Sequence, residues 1–191
     1  MNIFKLSIIS AIFFSTTSYS RPIFIGDSLG YEIAKSYSSM KPMDARYKVG
    51  SGLESNKLLN WQNYAEQFNF ESYDTVFIIL GTNDHIRKSD SLRYISKARN
   101  FIQAIKTKNQ NIVWFLPPAL KDVDKNNLLN NTRQSIIQAA QLEGIKILDI
   151  RKVLGDNYNE ALNGIQIRTT DGIHITPNGA QLTVSQLLLK Q

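Results

Sequence analysis

The sequence predicts an α/β domain built on a five-stranded parallel sheet with helices on both faces. Short apolar runs alternate with longer segments of helical period five times over, which implies right-handed crossovers between parallel strands. The run from Asp74 to Leu80 is continuous in β-branched and aromatic residues, as in a strand buried on both faces. A length of 191 residues with 42% apolar content suits one ordinary core without a metal or disulfide to hold it.

Each element has its own signal. Pro22 to Ile25 reads as a buried strand stopped by Gly26, followed by a helix from Tyr31 to Ser39. Asp44 to Val49 is a weaker strand, ended by Gly50-Ser51-Gly52. Ser55 to Phe68 carries a helical stripe of Leu58, Leu59, Tyr64, Ala65 and Phe68. After the central strand, Ser91 to Lys108 places Leu92, Ile95, Ala98, Ile102 and Ile105 on one helical face. Ile112 to Leu116 is a strand cut off by Pro117-Pro118, since proline cannot donate to a ladder. Asn126 to Glu143 is a helix with Gly144 as its stop, and Ile145 to Ile150 is the fifth strand. A looser stretch reaches Thr170, and a last helix runs from Pro177 to Leu189 with proline in its first turn.

Composition removes several chemistries. Cysteine is absent, which excludes disulfides, thiolate catalysis, iron–sulfur clusters and cysteine zinc sites. The 22 Lys+Arg against 16 Asp+Glu leave a net charge of +6, scattered without a run of like charge. That pattern reads as a solvated surface with no nucleic-acid partner, because no basic stripe is interleaved with stacking aromatics. Residues 1–20 form a secretory signal in three parts: Lys5, the apolar stretch Leu6 to Phe14, and the small-residue end Ser18-Tyr19-Ser20. Cleavage after Ser20 predicts a periplasmic or secreted chain from Arg21 to Gln191, one domain with no integral membrane segment.

In open parallel sheets, ligands bind beyond the carboxyl ends of the strands. Four loops there combine glycine with polar groups. Gly26-Asp27-Ser28-Leu29-Gly30 presents a serine at a strand-to-helix junction, where its own N–H and the helix start favour anionic charge. Asp171-Gly172-Ile173-His174 sets an aspartate three residues before a histidine, so the carboxylate can accept from Nδ1–H and free Nε2 to take a serine proton. Asn83 in Gly81-Thr82-Asn83-Asp84-His85 offers an amide to a developing oxyanion, and Gly50-Ser51-Gly52 offers a backbone N–H as a further donor. Each loop alone equally reads as a cap or turn. Together they supply nucleophile, base, orienter and oxyanion donors at one rim. His85 reads as a loop histidine. A metal reading on Asp27, Asp84, His85 and His174 lacks an HExxH-type pair, so neither metal nor cofactor is called for.

These four blocks, GDSLG, Gly52, Gly81-Thr-Asn-Asp84 and Asp171-Gly-Ile-His174, resemble the SGNH (GDSL-type) hydrolase superfamily from about Ile23 to Ala180. Ser51-Gly52-Leu53, Trp61, Trp114-Phe-Leu-Pro117, and Arg168 leading into Asp171-Gly-Ile-His-Ile-Thr176 are similar to a bacterial envelope subgroup whose substrates are largely unassigned. The resemblance implies a three-layer, flavodoxin-like α/β/α fold and a Ser28–Asp171–His174 triad. It also implies an oxyanion hole of Ser28 N–H, Gly52 N–H and Asn83. Leu53 stands where many relatives carry an acid, which keeps Gly50 open as the alternative to Gly52. The function expected is an exported serine esterase acting on O-acetyl or other short acyl esters of an envelope glycan. Its substrate is an ester-bearing small molecule, glycan or lipid, and no oligomeric state is assigned. The alternatives are a lysophospholipase or thioesterase on longer chains, a glycan O-acyltransferase, and a non-catalytic glycan-binding module with a vestigial site.

Overall fold

The computed structural model describes residues 21–189. The expected secretory signal lies outside the described residues. Five parallel strands form the sheet: β1 (Ile23–Gly26), β2 (Asp44–Tyr47), β3 (Val76–Ile79), β4 (Ile112–Leu116) and β5 (Lys146–Asp149), in the order β2-β1-β3-β4-β5. The order reverses direction at β1, so the crevice above β1 and β3 is the topological switch point.

Alternate residues of the central strands point to opposite faces, and two cores result. Ile23, Ile25, Val76, Ile78, Leu80, Ile112 and Trp114 pack under α2 (Trp61–Gln67), α3 (Ser91–Lys106) and α4 (Val123–Glu143). Phe24, Phe77, Ile79, Val113 and Phe115 pack under α1 (Ser28–Ser38), α5 (Arg151–Leu154) and α6 (Pro177–Leu187). Truncating one of these fully buried aromatics to alanine costs about 3–5 kcal/mol.

The sequence expectations hold for every sheet strand and miss among the connecting segments, where α4 starts at Val123 and not at Asn126 because the Asp122 carboxylate accepts from Lys125 N–H. The first helix begins at Ser28 and not at Tyr31, because the Asp27 carboxylate accepts from Leu29 N–H and starts the turn early. The stretch Ser55 to Asn60 is not helical. α2 starts only at Trp61, where the Asn60 side chain accepts from Asn63 N–H. The looser stretch before Thr170 holds α5 and a small antiparallel hairpin of β6 (Ala161–Leu162) and β7 (Ile165–Gln166). Among the described residues, no helix is long and apolar enough to cross a membrane.

Candidate active site

Ser28 is the first residue of α1 and half-buried at the carboxyl end of β1. Its N–H belongs to the first turn, where the helix itself supplies no acceptor. His174 Nε2 lies 2.9 Å from Ser28 Oγ, across 146 residues of sequence. On the other side of the ring, His174 Nδ1 lies 2.7 Å from Asp171 Oδ2. Serine, imidazole and carboxylate therefore form one continuous hydrogen-bonded chain.

Asp171 is tied to one orientation. Its Oδ1 accepts from the Thr169 hydroxyl at 2.6 Å and from the N–H groups of Ile173 and His174 at 2.8 and 3.0 Å. Partial burial works against its ionisation, but the Thr169 hydroxyl, the His174 ring and the two backbone N–H groups outweigh it. They hold the carboxyl well below the usual carboxylate range, so it stays anionic beside the ring.

A buried arginine fixes this loop from behind. Arg168 donates through Nε to His174 O (3.2 Å), Nη1 to Ala119 O (2.7 Å) and Nη2 to Ile173 O (2.8 Å), with its guanidinium 4.8 Å from the Tyr158 ring centroid. Burial pushes the guanidinium down to about 10, which still leaves it charged at neutral pH. Lys121 N–H adds a bond to Gly172 O at 3.0 Å, latching the loop after β4 to the Asp171–His174 loop.

The loops after β2 and β3 are locked together by Asn83 and Asp84. Asn83 Nδ2 donates to Ser51 O at 2.7 Å, while the exposed side chain leaves its second amide hydrogen available. The buried Asp84 carboxylate accepts from Leu53 N–H (2.7 Å), Glu54 N–H (2.9 Å) and Tyr94 Oη–H (2.8 Å). Gly52 sits between the two anchored residues, and a Cβ there would run into the Asp84 carboxylate. Only glycine permits that approach. Gly50, by contrast, is exposed and faces Leu58. Ser51 completes the brace, donating to Lys48 O at 2.7 Å and accepting from Trp61 Nε1–H at 3.0 Å.

Two acids lie buried under this rim. Burial raises Asp84, and burial together with the Asp84 charge pushes Asp27 up to about 7. Asp27 Oδ1 caps α1, and its Oδ2 is buried in the neighbourhood of the Thr82 hydroxyl. His85 is half-buried, its Nε2 without a partner among the described residues. Burial and the Lys125 charge push its ring down. The structure brings Ser28, Asp171 and His174, which the sequence singles out, into one hydrogen-bonded chain and sets Asn83 against the Gly52 loop; the anchoring by Asp84 and Tyr94 has no counterpart in the sequence reading. The spacing of ten residues between that pair, across a 3₁₀ turn at Lys88–Asp90, matches no helical or strand period.

The fold recurs in solved structures. A member of the lipolytic protein G-D-S-L family from Veillonella parvula superposes with a TM-score of 0.65 at 18% identity, covering 90% of this chain and 100% of its own. An acetyl xylan esterase from Geobacillus stearothermophilus gives 0.64 at 14% identity, covering 90% and 94%. An aryl esterase from M. smegmatis gives 0.60 at 14% identity, covering 90% and 98%. No curated protein matches. A family model described as "Protein of unknown function (DUF459)" matches residues 21–190, and the chain belongs to that family.

Proposed function

We propose that the protein is an exported serine esterase that hydrolyses short acyl esters, O-acetyl groups of an envelope glycan foremost, through an acyl-Ser28 intermediate. The observation that carries this reading is the unbroken chain from Ser28 Oγ to His174 Nε2 and from His174 Nδ1 to Asp171 Oδ2. A serine hydroxyl is a weak nucleophile until a base removes its proton, and this base is oriented by a carboxylate that stays ionised. The acetyl xylan esterase and aryl esterase among the similar folds are consistent with ester chemistry.

The steps follow from the geometry. Ser28 Oγ bonds to the carbonyl carbon as its proton passes to His174 Nε2. The carbonyl electrons move to oxygen, where Ser28 N–H, Gly52 N–H and the Asn83 amide stabilise the charge. The carbonyl reforms, the carbon–alkoxide bond breaks, and His174 returns the proton to the departing alcohol. Water then attacks the acyl-enzyme, His174 takes its proton, and the acid leaves with Ser28 restored. Gly52 is favoured over Gly50 as the backbone donor because Asn83 and Asp84 grip both of its neighbours.

Labelling with a fluorophosphonate probe, read by mass spectrometry, tests the nucleophile. A single adduct on Ser28, absent in Ser28→Ala, is expected, together with turnover of p-nitrophenyl acetate above that of the octanoyl ester. Strong preference for octanoyl would replace the short-acyl reading with a long-chain one. Failure of the probe to react would remove the nucleophile altogether.

A further inference from the structure

The rim beside Ser28 carries an aromatic pair that the chemistry above leaves unused. β2 ends at Tyr47, whose Cα is paired with that of Gly26, and Lys48 N–H donates to Gly26 O at 2.9 Å. Gly26 lies two residues before Ser28, so the end of β2 runs alongside the turn that presents the serine. Tyr31 follows Ser28 by one turn of α1, and its ring meets that of Tyr47 with centroids 4.8 Å apart at an interplanar angle of 48°. Tyr47 remains 47% exposed, the only aromatic among the exposed large apolar side chains of the described residues. Three other tyrosines have structural work: Tyr94 bonds Asp84, Tyr73 bonds Asp44, and Tyr37 is buried in the core.

We propose that Tyr31 and Tyr47 form a platform on which a glycosyl ring stacks, so that the alcohol portion of the ester substrate is a sugar. This rests on the esterase reading and specifies its substrate. One face of a pyranose is a sheet of C–H bonds with partial positive charge, which matches the negative face of an aromatic ring. The sugar edge carries hydroxyls, and the chain just beyond Tyr47 is correspondingly mixed: exposed Lys48 and Val49 follow it, with exposed Leu58 near Gly50. The Lys35 ammonium, 5.7 Å from the Tyr31 ring centroid, holds that ring in place from the next turn.

The test is the ratio of kcat/KM on partially acetylated xylo-oligosaccharides to kcat/KM on p-nitrophenyl acetate, whose alcohol has no pyranose. Tyr47→Ala is expected to lower this ratio about tenfold, through KM on the oligosaccharide, the scale of one lost stacking contact. Tyr47→Phe, which keeps the ring face, should restore it, and Tyr47→Leu should not. A ratio within about twofold of wild type in Tyr47→Ala overturns the platform. So does a loss confined to p-nitrophenyl octanoate, which would make the pair an acyl-chain surface. If the wild-type protein neither labels at Ser28 nor cleaves p-nitrophenyl acetate, the esterase reading fails first and the platform with it. If it does both while the ratio ignores Tyr47, the platform alone fails.

Discussion

The loop carrying Asp171 and His174 and the loop carrying Gly52 are held to the same scaffold by buried groups of opposite charge. Behind the first, Arg168 donates to three backbone carbonyls. Behind the second, Asp84 accepts from two backbone N–H groups and a phenol. A guanidinium pushed down only to about 10 never loses its charge near neutrality, so the base side of the site is held identically across the working pH range. A carboxylate raised by burial, with Asp27 competing nearby, ties the Gly52 loop to protonation. The two loops thus differ in what perturbs them: substitution alone for the first, substitution and pH for the second.

Removing the cation should have the largest effect. Arg168→Met strips three backbone carbonyls of a charged donor: His174 O keeps the Thr169 N–H, while Ala119 O and Ile173 O lose the donor the guanidinium gave them. The expected loss is about 3 kcal/mol or more in stability by denaturant unfolding, with kcat/KM on p-nitrophenyl acetate down about 10²-fold as His174 drifts from Ser28. Wild-type activity in this variant would show that Asp171 and Thr169 hold the loop unaided. Asp84→Asn should be milder in stability and selective in kinetics. The amide keeps one acceptor oxygen and turns an NH₂ toward a backbone N–H, so Leu53 or Glu54 shifts and Gly52 moves with it. One oxyanion donor is worth about 10²–10³ in kcat, and a misplaced donor should forfeit about 10–10² of that, in kcat and kcat/KM alike. A fall confined to KM would instead place Asp84 in substrate binding.

The contrast also explains what the sequence disclosed. Ser28, Asn83, Asp171 and His174 were legible because a parallel sheet gathers strand-end loops at one rim, and each loop carries its own glycine and polar residues. The anchors were not, because backbone carbonyls and N–H groups leave no mark in the side-chain pattern. Arg168 entered only through family resemblance, and Tyr94 stands outside the stripe of Leu92, Ile95, Ala98, Ile102 and Ile105 that marks its helix. The false helix over Ser55 to Asn60 has the same origin. Leu58 and Leu59 sit at helical spacing, but Asp84 takes the N–H groups of Leu53 and Glu54, and Asn60 restarts the chain as a cap. The missed hairpin did have a signal in Asn163-Gly164, whose positive φ values of 49° and 77° suit a two-residue turn. Two-residue strands are too short for alternation to register.

pH separates the two sides at the level of stability. Asp27 titrates near 3.8 as an ordinary carboxyl and at about 7 in the fold, so between those values the native state binds the extra proton. Its contribution is fully present below 3.8 and is lost as pH rises through about 7. Asp27→Asn should therefore gain stability over wild type as pH is raised from 4 to 8, by about 2–4 kcal/mol in full. The amide keeps an oxygen for Leu29 N–H and gives the Thr82 hydroxyl a donor. Thermal melts of both proteins across that range, showing parallel curves, would place the Asp27 proton elsewhere.

Tyr94→Phe is the smallest and cleanest probe of the acidic anchor. It deletes one oxygen, 2.8 Å from Asp84, and leaves the ring packed in the core. The two backbone N–H donors remain on the carboxylate, so Gly52 should stay near its place. The expected cost is about 1 kcal/mol of stability, the net worth of one hydrogen bond, with kcat reduced less than in Asp84→Asn. Removing the phenol also takes away one of the groups that favour the ionised form of Asp84, so the kcat–pH profile should move toward higher pH while KM holds. An unmoved profile with the same stability loss would reduce Tyr94 to packing and leave the two N–H groups as the whole of the anchor.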